Sequence, residues 1–119
     1  MPKTGASSEP SVWQPLRLTL SADPYNVMVT GEKKVEFRDK APWIESRLFS
    51  KSGDDRQYDR VVFVNGYRKD SPRFSVSFKG YKLVPAGVHV TYSNGLVVDR
   101  RGKPTYVISL GDDVRVEHP

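Results

Sequence analysis

The sequence contains no cysteine, which removes disulfide bridges, thiolate metal sites and thiol nucleophiles together. Histidine is nearly as scarce: His89 and His118 lie far apart, so no i, i+4 pair or comparable metal-ligand spacing exists. Neither a metal nor another cofactor is expected. No apolar run approaches the roughly 20 residues that a helix needs to cross a bilayer. The opening "MPKTGASSEPS" also lacks the apolar segment of a signal peptide, so a cytoplasmic chain with no membrane partner is expected. There is no internal repeat, no heptad and no glycine-rich phosphate loop, which leaves nucleotide hydrolysis of the P-loop type unsupported.

What is present suits one folded domain. The 119 residues can close a single core, and 37% hydrophobic with 28% charged residues is a globular balance. Residues 1–12, rich in Ser, Pro, Gly and Lys, read as a flexible arm, and residues 13–119 as the domain. A net charge of +5 and a sequence pI near 9.6 lean toward anionic partners. Between Arg60 and Lys82 lie Arg60, Arg68, Lys69, Arg73, Lys79 and Lys82 against Asp70 alone, so one flank should be positive. Such residues equally serve as a solvated face or as edge protection on strands.

The hydrophobic pattern alternates between strand and short helix. "PLRLTL" places Leu16, Leu18 and Leu20 on one side, a half-buried strand. "SADPYNVMVTG" carries helix punctuation: Asp23 can cap, Pro24 suits the first turn and Gly31 the left-handed stop, which predicts a helix from about Pro24 to Thr30. Lys34 to Arg38 reads as a second strand, and "PWIESRLF" after Pro42 as a second short helix. "RVVFVN" is a strand buried on both faces, and "RFSVSFKGYKLV" an antiparallel strand that bends at Gly80. Asn94-Gly95 marks a hairpin, "TYVISL" is the last strong strand, and an acidic tail follows. Together these predict an α+β fold: a small mixed, mostly antiparallel β-barrel with one or two short helices.

The stretch "GEKKVEFRD" crowds charge around two apolar residues. On a strand, Lys34, Glu36 and Arg38 share one face while Val35 and Phe37 point inward, and Lys33 stands at the lip after Gly31. Spacing alone favours a surface ladder, contributing at most about 0.2–1 kcal/mol per pair. The alternative is a pocket in which Lys33 and Arg38 meet an anion or carbonyl and Glu36 orients them or accepts a base-edge N–H.

"GEKKVEFR" fits G-x-K-x-x-E-x-R, and on that motif the chain resembles the ASCH family of PUA-like β-barrel domains. The Pro24-Tyr25 pair opening the first helix and Gly31 closing it are similar to the family's preceding segment. The strong match spans about Leu16 to Asp39, with looser support from the strand order and "YVISLG". The resemblance implies a cleft beside the second strand for a nucleotide or RNA, with Lys33, Glu36 and Arg38 lining it, Gly31 structural and Tyr25 nearby. From chemistry rather than family, Trp43 and Tyr67 are stacking candidates, and Arg68 and Lys69 phosphate contacts. Each has a plainer role: Trp43 as cover for the barrel end, Tyr67 as a turn residue after Asn65-Gly66, Tyr25 as packing against the sheet.

Three functions follow. The first is an RNA- or nucleotide-binding domain working without metal, with the Arg60 to Lys82 region holding phosphates. The second, implied by hydrolytic members of the family, is a small amidohydrolase of acylated nucleosides such as acetylcytidine, or a ribonuclease, with Lys33 and Glu36 catalytic. A desolvated lysine can lose its proton near neutrality, but Glu36 favours the protonated form and stands where the hydrolase branch has a hydroxyl residue. The third is a non-enzymatic domain whose basic flank contacts another protein.

Overall fold

The computed structural model describes residues 14–117, so the arm read over residues 1–12 and His118 lie outside the described residues. Strand β1 covers Leu16–Leu20 and buries Leu16, Leu18 and Leu20, as its alternation requires. Helix α1 covers Ala22–Val29, two residues earlier than its punctuation suggested. Ser21, not Asp23, occupies the cap position, and its carbonyl accepts the Tyr25 N–H at 3.2 Å. Pro24 fits inside the first turn because the N–H it lacks would have no partner there. Gly31, at φ +87°, stops the helix.

Strand β2 (Val35–Asp39) leads into α2 (Pro42–Leu48), with Pro42 at its start. Strands β3 (Arg60–Asn65) and β4 (Arg73–Val84) form an antiparallel pair, and β1 pairs parallel to β3, the one parallel ladder described. Over residues 73–77 β4 pairs with β3, and over residues 78–84 with β7 (Thr105–Leu110), with a register break between Phe78 and Tyr81. Gly80 lies inside that break at φ +103°, so the expected bend falls at an irregularity in the β4–β7 ladder. Strands β5 (His89–Thr91) and β6 (Val97–Asp99) form a separate hairpin around Asn94-Gly95. The tail adds β8 (Arg115–Glu117) against β4, an element that its charge had concealed.

The main sheet therefore runs β1-β3-β4-β7-β2, with β8 beside β4, in a small α+β fold of mostly antiparallel strands. Among the described residues no backbone ladder joins β1 to β2. The core forms one cluster in which Leu16, Val61, Phe63, Phe74 and Ile108 of the sheet pack with Met28 of α1 and Ile44 of α2. No helix among the described residues is long and apolar enough to cross a membrane.

Candidate functional site

Gly31 reverses the chain, and the Lys33 N–H returns to the Val27 carbonyl at 3.0 Å. That bond turns the Lys33 side chain inward, where it is 3% exposed. Its ammonium donates to the Val35 carbonyl at 2.6 Å and to Glu36 Oε1 at 3.0 Å, with Met28 Sδ at 3.8 Å as a weak third acceptor. The rings of Phe37 and Tyr92 flank it at 5.0 and 5.9 Å. Burial pushes the Lys33 pKa below the ordinary lysine value, while Glu36 opposes that shift.

Glu36, 5% exposed, is the hub. Its Oε1 also accepts the Phe37 N–H at 3.2 Å, and its Oε2 accepts Arg38 Nε at 2.7 Å. Arg38 Nη2 lies 2.6 Å from the same oxygen and donates to the Thr19 carbonyl of β1 at 2.9 Å. The carboxylate is thus saturated with donors, and the guanidinium is fixed in direction. The solvated ladder is not what forms. Lys33, Glu36 and Arg38 make an ion triad in which Lys33 and Glu36 are buried and Arg38 is half-buried, while Lys34 faces solvent outside it.

A cavity of about 510 Å³ opens over this triad. One wall is the end of β1 and the start of α1, with Ser21 and Pro24; the opposite wall is β6 and the following turn, with Val97, Asp99, Arg100 and Lys103. Lys33, Arg38, Arg100 and Lys103 face two carboxylates, Glu36 and Asp99, so the lining is net positive. Arg101 holds the Asp99 carboxyl down at about 2. Arg100 Nη1 pairs with Asp39, whereas its Nε is a buried donor without an acceptor among the described residues.

The hairpin that forms the far wall is tied down by side chains. Glu32 accepts the Ser93 N–H at 2.8 Å and also its hydroxyl, and Asn94 Nδ2 reaches the Asp23 carbonyl at 3.1 Å. Gly87 sets its base: at φ +79°, a Cβ there would lie 1.7 Å from the Arg100 carbonyl oxygen.

The remaining candidates separate. Tyr25 belongs to the core: it is 7% exposed and packs edge-on against Phe74, and burial raises its pKa. Its neighbour Pro24, on the other side of the helix turn, is the one that lines the cavity. Trp43 and Tyr67 are exposed and line a second cavity beside the first. Arg68 and Lys69 stand on the exposed β3–β4 turn, outside both cavity linings, with Arg68 paired to Asp70 at 3.4 Å. The other members of the basic flank also lie outside these linings, and Arg60 is committed to Asp113 at 2.8 Å. The cavity cations beyond Lys33 and Arg38, namely Arg100 and Lys103, come instead from "RRGKP", which in the sequence marked only a turn.

Among the described residues no group of three or more His, Asp or Glu side chains is placed to hold a metal ion. No protein-family model, curated protein or solved structure matches the chain.

Proposed function

We propose that the chain binds a nucleotide or a short stretch of single-stranded RNA in the cavity above the Lys33–Glu36–Arg38 triad, in keeping with its resemblance to ASCH domains. The observation that carries this reading is a net-positive concave site whose floor is a pinned guanidinium. Glu36 and the Thr19 carbonyl aim Arg38, so its rotamer entropy is already lost before a ligand arrives. Arg100 adds a second guanidinium on the cavity wall, the kind of charged donor that a phosphate or base oxygen accepts from. The apolar side chains of Leu96, Val97 and Val98 on the hairpin wall offer a surface for a base or sugar.

Anisotropy titration of labelled single-stranded RNA tests it. Affinity should fall with salt, with a logarithmic slope of about −0.7 per phosphate neutralised. Arg100→Ala should weaken binding and lower that slope by about 0.7. Salt-independent binding, or none at low salt, would overturn the proposal.

A second reading, amide hydrolysis of an acylated nucleoside, draws support from the lowered Lys33 pKa. Against it, the Lys33 ammonium already has an acceptor for each of its three N–H groups, and Glu36 has no free lone pair for a proton. Chromatography of acetylcytidine incubated with protein and with Lys33→Gln decides this. Release of acetate that disappears in the variant would favour hydrolysis; no Lys33-dependent release would exclude it for that substrate.

A further inference from the structure

The second cavity, also about 510 Å³, is lined by Arg17, Arg38, Trp43, Arg47 and Tyr67 together with Leu18, Thr19 and Val64. It shares Thr19 and Arg38 with the first, so the two lie on either side of the Arg38–Thr19 hydrogen bond. Its lining holds three guanidiniums and no carboxylate, a stronger one-sign bias than in the first cavity. It also displays two large rings to solvent: Trp43 is 47% and Tyr67 93% exposed.

These rings are not merely left over at the end of the sheet. Arg38 and Arg47 both lie 5.8 Å from the Trp43 ring, one from β2 and one from the same helix. Arg47 is placed by its own surroundings: its Nη1 donates to the Arg17 carbonyl, and its backbone carbonyl accepts the Tyr58 hydroxyl at 2.6 Å. An aromatic face flanked by fixed cations matches the chemistry of single-stranded nucleic acid, where bases stack and phosphates follow alongside.

Building on the nucleotide-binding reading, we propose that the second cavity is a subsite for the adjacent nucleotide, so that the ligand is an oligonucleotide rather than a free nucleoside. Trp43 and Tyr67 stack the flanking base, and Arg17 and Arg47 meet its phosphate. Arg38 stands at the junction, where its Nη1, engaged in none of the contacts to Glu36 or Thr19, faces the bridging phosphate.

The test compares hexamers of adenylate, cytidylate and uridylate with the corresponding 5′-monophosphates, using the full chain. At least one hexamer should bind about fivefold or more tighter than its monophosphate, since one stacked base is worth at least that factor. Tyr67→Ala and Arg47→Ala, both at exposed positions, should each shrink that advantage by about five- to tenfold, and Arg47→Ala should reduce the hexamer's salt slope by about 0.7. A hexamer no tighter than its monophosphate, or an advantage unchanged in both variants, overturns the second subsite while leaving the first intact. If neither ligand binds, both readings fall. If the hexamer binds through Tyr67 and Arg47 but is indifferent to Arg100→Ala, the first-cavity reading falls and the second cavity stands alone.

Discussion

Arg38 of β2 donates its Nη2 to the Thr19 carbonyl of β1 at 2.9 Å, linking the two ends of a sheet that no described backbone ladder closes. An unpaired edge carbonyl is thereby satisfied by a charged donor. The same guanidinium grips Glu36 and forms part of the wall of both cavities, so the β1–β2 contact and both cavity linings share one side chain. Its partners make clear predictions.

Glu36→Gln should be the most damaging conservative change. It leaves Lys33 and Arg38 close together without their shared counter-charge, in a site where Lys33 is 3% exposed. Urea unfolding should show a loss of about 3 kcal/mol. Adding Lys33→Met should recover part of that loss, because the stranded ammonium is then removed.

Arg38→Lys should not behave conservatively. An ammonium cannot grip Glu36 through two nitrogens and also reach Thr19 as the planar fork does. A loss of about 1–2 kcal/mol is expected from the forfeited charged hydrogen bonds, with weakened RNA affinity in the same titration. Stability and affinity both within error of the parent would refute the bridging role.

At Gly87 the backbone at φ +79° and the Arg100 carbonyl leave no room for a methyl group. Gly87→Ala should cost at least about 2 kcal/mol. The damage should concentrate in hydrogen exchange at β5 and β6.

Ser93→Ala removes an exposed contact to Glu32 that fastens the hairpin wall. Global stability should fall by less than about 1 kcal/mol. Exchange of amides from His89 to Asp99 should nevertheless quicken, because the free energy of local opening is smaller than that of unfolding. Equal acceleration throughout the core would contradict a local latch.

Tyr106 donates to Glu45 Oε2 at 2.7 Å, and burial followed by that bond pushes its pKa to about 12. The folded chain therefore keeps a proton that the unfolded chain releases near the ordinary tyrosine value of 10. The associated stability is complete below pH 10 and is lost as pH rises toward 12. Tyr106→Phe should cost about 1 kcal/mol at neutral pH and should lessen the decline over that alkaline range. Parallel pH profiles for parent and variant would exclude this coupling.

Most elements are legible because their signals are local. The Leu16, Leu18, Leu20 alternation, the Gly31 stop, the Gly80 bend and the Asn94-Gly95 turn each depend on a few neighbouring residues. The parallel pairing of β1 with β3 and the docking of β8 on β4 were not legible, since both join segments distant in the chain. Tyr25 illustrates the same limit: its position beside the motif is visible in the sequence, but its orientation toward Phe74 depends on how α1 lies on the sheet.

By itself the sequence determined that Glu36 and Arg38 would share one face of β2, by its two-residue period, with Lys33 at the lip after the Gly31 stop. Only the tertiary structure decided that Lys33 and Glu36 are buried, and that Arg17, Arg47, Arg100 and Lys103 rather than the Arg60 to Lys82 flank join Arg38 around the cavities. Alternation states which side of a strand a residue occupies. Whether that side is covered depends on other segments, here the β5–β6 hairpin, whose Tyr92 ring lies over Lys33 and which arrives from far along the chain.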